Sequence, residues 1–217
     1  MKNHAYFESQ VYKKINWSEL FDSASIAASS DKKIFGIANK NNFAMISQSA
    51  LLKNNASVCF ENNHIQILNN INQKYKNPSF QIDRIFIIDM RFEKTNSVAH
   101  PGLYMNFNNQ LMYQIYHACQ TIFFYTTEHL SSRKYGDMQL SRIDTIRSDL
   151  AEIIISFSRI HSFILKLTSL SQINFLIFEF QSILKKLSKL GGARAVLSGN
   201  SVNLLYHLNL YKKFIEE

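Results

Sequence analysis

The chain has 217 residues, 46% of them hydrophobic and 13% aromatic, which is enough for one large domain or two small ones and excludes global disorder. Six glycines and two prolines are too few for a turn-rich β-sandwich or barrel, so long helices are expected. The formal net charge of +8 suits a nucleic acid, a polyphosphate or a membrane surface, but no basic run is longer than Lys-Lys. Charge this scattered fits a chain simply rich in Lys, Asn and Ile, and nucleic acid is not expected as a partner.

The N-terminus, Met1 to Tyr6, has no apolar stretch of the signal-peptide kind. The most apolar segments, Ile85 to Ile88 and Phe175 to Phe178, are far shorter than a membrane span. A soluble, cytoplasmic protein is expected. The two cysteines, Cys59 and Cys119, have no metal or redox spacing and read as buried reduced thiols.

Taken in order, residues 1–31 form an N-terminal helical segment, with Trp17, Leu20 and Phe21 at helical spacing. Residues 32–102 read as a small β-rich region. Its short apolar runs are divided by Asn41-Asn42, Asn54-Asn55, Asn62-Asn63 and Asn69-Asn70, since Asn tolerates turn geometry. Ile65 and Ile67 alternate with polar residues as in a half-buried strand. Phe80, Ile82 and Ile85 to Ile88 read as another strand, and Thr95 to Gly102 as a loop.

Residues 103–217 are read as helical. One stripe contains Leu111, Ile115, Ala118 or Cys119, Ile122 and Tyr125 or Thr126. A second contains Ile146, Leu150, Ile153, Phe157, Ile160 and Ile164. A third contains Ile173, Leu176, Ile177, Phe180, Ile183, Leu184 and Leu187. Such stripes must be buried against neighbours. A shorter helix spans Val202 to Phe214, and Gly136 and Gly191-Gly192 are placed where helices stop. The expected fold is therefore α+β and mainly α: a C-terminal antiparallel four-helix bundle preceded by a small β-rich region.

Few residues suggest chemistry by themselves. His117, His129 and His161 have no metal-ligand spacing and read as helix-surface or satisfied buried residues. No metal site is expected, and no phosphate-binding glycine loop or nucleophile elbow occurs. Arg142, Arg147, Arg159 and Lys166 read as the wet side of a helix.

Two motifs carry more. Ser132-Arg133-Lys134-Tyr135-Gly136 is followed by Ile146 and Leu150-Ala151-Glu152. Leu190-Gly191-Gly192-Ala193-Arg194 is followed by Val202 and Leu205-Tyr206. With the helical stretch between them, this order resembles the C-terminal helical domain of the acyl-CoA dehydrogenases. There an Arg-x-x-Phe-Gly turn and a Gly-Gly turn help to hold FAD across a dimer interface. Upstream, Phe80 to Asp89 resembles the family's last β-domain strand, with Ile88 in place of a proline.

The resemblance implies FAD-dependent α,β-dehydrogenation of an acyl thioester on CoA or a carrier protein. It implies Arg133, Tyr135, Gly136, Gly191 and Gly192 as cofactor-binding residues and Glu216 as the catalytic base. It also implies assembly as a homo-oligomer, or with a fuller subunit supplying the helical N-terminal domain for which there is no room before Lys32. The C-terminal domain departs from the pattern at several positions: Ser132 stands where the flavin-contacting Arg falls, with Arg133 rotated about 100° on a helix; Asp144 replaces a Gln; His207-Leu208 replaces an Arg-Asp pair. The alternative is a non-catalytic relative acting as a binding or assembly subunit.

Overall fold

The computed structural model describes residues 15–29, 35–52, 55–61, 64–69, 80–82, 85–90, 97–99, 101–164, 167–193, 195 and 201–216. Asn54, Asn62-Asn63, Asn70, Thr95, Lys166 and Arg194, all noted above, lie outside the described residues, as does Glu217.

Helix α1 (Trp17–Ala28) starts at Asn16, whose side chain accepts from the Ser18 N–H at 3.0 Å, satisfying one of the first turn's orphan donors. Strands β1 (Phe35–Ala38) and β2 (Phe43–Ser47) follow, then a single helical turn α2 (Gln48–Leu51) and strands β3 (Asn55–Phe60) and β4 (His64–Asn69). Strands β5 (Phe80–Ile82), β6 (Ile85–Asp89) and β7 (Ser97–Ala99) complete a seven-stranded sheet in the order β5-β6-β2-β1-β3-β4-β7. All pairings are antiparallel except β1 with β3.

Three expectations for this region need correction. The stretch Phe80 to Ile88 is two antiparallel strands, with Ile82 opposite Ile85. The expected loop after Thr95 contains β7, because the open edge of β4 still offers unpaired backbone groups, which Ser97–Ala99 take up. Asn55 and Asn69, read as turn residues, are strand ends opposite each other in the β3–β4 ladder.

Both faces of β1, β2, β3 and β6 are buried among the described residues, with period-2 alternation. Phe35, Ile37, Met45 and Cys59 face the helices, while Ala38, Ala44, Ile46 and Val58 pack with Phe86, Ile88 and Ala50 of α2 on the opposite side. Gly36 lies in this second layer. A Cβ there would sit 2.6 Å from Ile46 Cγ1 and 2.8 Å from the Met45 carbonyl oxygen, so the position admits only glycine at this spacing.

The long helix α3 (Leu103–Ser132) starts after Gly102, held at φ 78°. A two-stranded hairpin, β8 (Lys134–Tyr135) and β9 (Met138–Gln139), and a 3₁₀ turn (Leu140–Arg142) lead into α4 (Asp144–Ile164). Helices α5 (Leu170–Gly191) and α6 (Ser201–Glu216) follow. Helix α5 starts with a full capping box: Ser169 Oγ accepts from the Gln172 N–H, and Gln172 Oε1 accepts from the Ser169 N–H at 3.2 Å.

The polar links fix the directions. Asp149, Glu152 and Arg159 of α4 pair with Lys189, Lys186 and Glu179 of α5 at constant register, so the two helices are antiparallel. Ser188–Ser201 and Gln181–Asn209 make α5 and α6 antiparallel in the same way. Asn109 Nδ2 donates to the Leu167 carbonyl at 3.2 Å, which places the start of α5 beside the start of α3. The molecule is thus α+β and mainly helical, with four long helices alternating in direction.

Helix α1 packs along α3, with Phe21 edge-on to Phe107 at 4.8 Å. The third stripe is wholly buried, and so are Ile153, Phe157, Ile160 and Ile164 of the second. Ile146 and Leu150 are only half-buried. One core runs from Trp17 and Phe35 to Tyr211 and Phe214. Among the described residues, no helix is long and apolar enough to cross a membrane.

Candidate functional site

The residues singled out in the sequence fall at opposite ends of the bundle. Arg133, Tyr135 and Gly136 follow α3, and Gly191-Gly192 close α5, which runs parallel to α3; these five share one end. Glu216 closes α6, which runs the other way. Its last turns lie beside the start of α3, where the Tyr211 hydroxyl donates to Asn108 Oδ1. From Asn108 to Arg133 the helix rises ~38 Å at 1.5 Å per residue. Within one chain, Glu216 is not brought together with the other five.

At the hairpin end, Gly136 has φ 60° and Gly192 has φ 55°, values that favour glycine. Among the described residues nothing lies within 4 Å of a Cβ added at either, so both turns offer open backbone. Gly192 is the helix cap proper, and its N–H donates to the Ser188 and Lys189 carbonyls. Gly136 is not a helix stop, since α3 ends at Ser132 and Gly136 turns the hairpin.

Arg133 is the C-cap, with extended backbone at φ −107° and ψ 149°. A helical rotation therefore does not describe where its side chain points. Its carbonyl accepts from the Leu140 N–H at 2.9 Å, while its guanidinium is exposed and makes no ion pair among the described residues. Ser132 turns back on its own helix, donating to the His129 carbonyl at 2.9 Å. Tyr135 is 78% exposed and Met138 53%, so an aromatic and a thioether project beside the open glycine turn. Asp144 is exposed at the start of α4 and faces Arg147 at 3.7 Å.

At the opposite end, an open cavity of about 340 Å³ is lined by Asn39, Lys40, Asn42, Phe60 and Glu61. Lys40 Nζ donates to the Glu216 carbonyl at 2.9 Å, which puts the end of α6 beside it. The Glu216 carboxylate faces Lys212 at 3.7 Å and is 46% exposed. Sequence reading missed this cavity because residues 39–42 and 60–61 meet only in the fold, and Asn42 reads as a turn residue alone. The available signal was Asn42, which adopts φ 61° without being glycine.

Behind the cavity lies a buried polar chain. Asn108 Nδ2 donates to the Tyr104 carbonyl at 2.7 Å, and Asn108 Oδ1 receives the Tyr211 hydroxyl. Burial, with Glu61 and Cys59 adding to it, raises Tyr104 above its usual range, and burial raises Tyr211 well above it. Both are neutral donors at ordinary pH. His207, where the resemblance has an Arg, is buried and stacked on Trp17 at 5.6 Å. Burial pushes the Cys59 thiol up to about 12 and raises Cys119 as well, so both are inert thiols. His117 and His161 are exposed on helix surfaces. Among the described residues, no cluster of His, Cys, Asp and Glu could hold a metal ion.

Two solved structures are similar to this chain. One is a glutaryl-CoA dehydrogenase from Mycobacterium smegmatis in complex with FADH2, at 12% identity and TM-score 0.49, matched over 80% of this chain and 55% of that one. The other is a glutaryl-CoA dehydrogenase from the same organism, at 9% identity and TM-score 0.43, matched over 80% and 56%. The chain spans about half the length of each. No protein-family model matches the sequence, and no curated protein matches it.

Proposed function

We propose that this chain is an acyl-CoA dehydrogenase-like subunit that holds FAD between copies and serves α,β-dehydrogenation of an acyl thioester. The observation that carries the reading is the pair of open glycine turns at one end of the bundle. Positive φ and free space at Gly136 and Gly192 let a ligand approach the backbone closely. Arg133 adds a charged fork suited to phosphate oxygens, and Tyr135 a flat surface for a base. These residues fit the phosphate and adenosine end of a dinucleotide. Glu216 lies too far along the bundle to meet the same cofactor within its own chain, which favours a site shared with a second copy or a fuller subunit.

FAD, when bound, supplies the hydride acceptor. The chain's own part is to bind and to move a proton. Glu216 takes the α-proton of the thioester, and substrate covering its half-exposed carboxylate removes the water that competes for that proton. Asn106 and Asn108, near the start of α3, are neutral amides and cannot serve as the base. Asn108 is in any case occupied by Tyr211. Association is supported by Phe175 and Phe178, which stand 44% and 62% exposed on α5.

A second reading, a non-catalytic binding or assembly subunit, is favoured by Ser132, whose hydroxyl is spent on its own helix where the family has a flavin-contacting Arg. Purification with flavin absorbance near one per chain, alone or with a co-expressed partner, supports the first reading. A colourless protein that takes up no added FAD in either setting leaves the second.

A further inference from the structure

The end of α6 is held from the far side of the sequence. The last four carbonyls of a helix have no partner within it, and terminal turns fray unless tied down. Two of these carbonyls in α6 are tied. Asn39 Nδ2 donates to the Phe214 carbonyl at 3.2 Å, and Lys40 Nζ to the Glu216 carbonyl at 2.9 Å. Lys40 also places a cation at the negative end of the helix dipole.

The platform is rigid. Asn39 is 4% exposed, and its Oδ1 accepts from the Asn41 N–H at 3.1 Å and the Phe43 N–H at 3.0 Å. With the oxygen committed to the turn, the amide nitrogen is left facing α6. The Asn39 N–H donates to Phe43, and the Asn42 carbonyl accepts from the Met90 N–H at 2.8 Å, which binds the turn to β2 and to the end of β6. Asn39 and Lys40 also line the cavity.

We propose that Asn39 and Lys40 are positioning residues for Glu216: the β1–β2 turn grips the C-terminal turn of α6 and so fixes Glu216 beside the cavity. What Glu216 does there rests on the functional reading above; that it is held there does not. Two substitutions separate the contacts. Asn39→Asp keeps the two acceptor bonds of the turn and loses the donor to Phe214. Lys40→Met, on the surface, removes the ammonium with little risk to folding, and Lys40→Arg restores a donor.

Hydrogen exchange of the full chain is expected to rise about 5- to 10-fold at residues 213–216 in Asn39→Asp and Lys40→Met, the scale of one lost hydrogen bond, and to return toward the wild-type rate in Lys40→Arg. Turnover of an acyl thioester by the flavin-loaded protein should show kcat about 10-fold lower in the same two variants, with KM changed less. Unchanged exchange at 213–216 in both variants overturns the proposal, as does raised exchange with unchanged kcat. A wild-type chain that takes up no flavin and turns nothing over removes the functional reading alone, because exchange still decides whether the turn grips α6.

Discussion

Replacing Tyr211 by Phe tests the polar chain inside the core. Tyr211 is fully buried, and its hydroxyl donates to Asn108 Oδ1, whose amide nitrogen donates to the Tyr104 carbonyl. The substitution keeps the ring, its edge contact with Trp17 at 6.0 Å and nearly all the buried area. It removes one hydroxyl and with it the bond donated to the buried Asn108 Oδ1. The cost is the desolvation of that oxygen plus the lost bond, about 1–3 kcal/mol. In a chain of 217 residues, about 2 kcal/mol corresponds to a fall of ~4–8 °C in Tm. Urea unfolding should show a lower midpoint at unchanged slope. Adding Asn108→Leu removes that oxygen, so the double variant should be more stable than the summed single effects predict, by about 0.5–2 kcal/mol. A Tyr211→Phe protein within 0.5 kcal/mol of wild type, or a strictly additive cycle, would refute the reasoning.

Gly36→Ala should destabilise by about 1–3 kcal/mol, because the new methyl meets Ile46 Cγ1 and the Met45 carbonyl oxygen at under 3 Å; an unchanged urea midpoint would show that the two strands can part at no cost. Cys59 is raised from 9.0 to about 12 and stays protonated in the fold where the unfolded thiol ionises. Its contribution is therefore complete below pH 9 and is lost as pH climbs from 9 toward 12, with Cys119, Tyr104 and Tyr211 acting in the same direction. Stability flat across that window would contradict this burial. Under the proposed function, Arg133→Ala should weaken FAD uptake by about 1.5–3 kcal/mol, measured by flavin fluorescence titration. Glu216→Gln should stop dehydrogenation without releasing flavin, and equal activity in that variant removes Glu216 as the base.

The helices were legible because each has one continuous apolar stripe that must find cover, and α5 buries every residue of its stripe. The sheet was legible only as a region. Its strands are short, and which pairs with which is set by contacts distant in sequence, such as Phe35 beside Ser57 in the parallel β1–β3 pair. Periodicity alone could not split Phe80 to Ile88 into two strands, since both halves are apolar and only residues 83 and 84 separate them. Gly136 and Gly192 could be picked out by composition, as positive φ leaves a residue-type signature. Asn39 and Lys40 could not, because their partners lie on α6, more than 170 positions away. Nor could the sequence reveal that Glu216 and the glycine turns stand at opposite ends, which follows from helix direction.

The closing of the core by α6 also has a consequence for how the chain is made. Tyr211 and Phe214 seal a cluster that includes Trp17, Phe21 and Phe107. On a ribosome adding about 5–20 residues per second, Trp17 emerges ~10–40 s before Tyr211. Throughout that interval the inner face of α1, and from its own synthesis that of α3, has no α6 to cover it. The nascent chain then displays aromatic surface that the finished molecule hides, and holding chaperones bind such surface. Variants that weaken the α6 contacts should therefore lower soluble yield more than their effect on the stability of the purified protein would suggest.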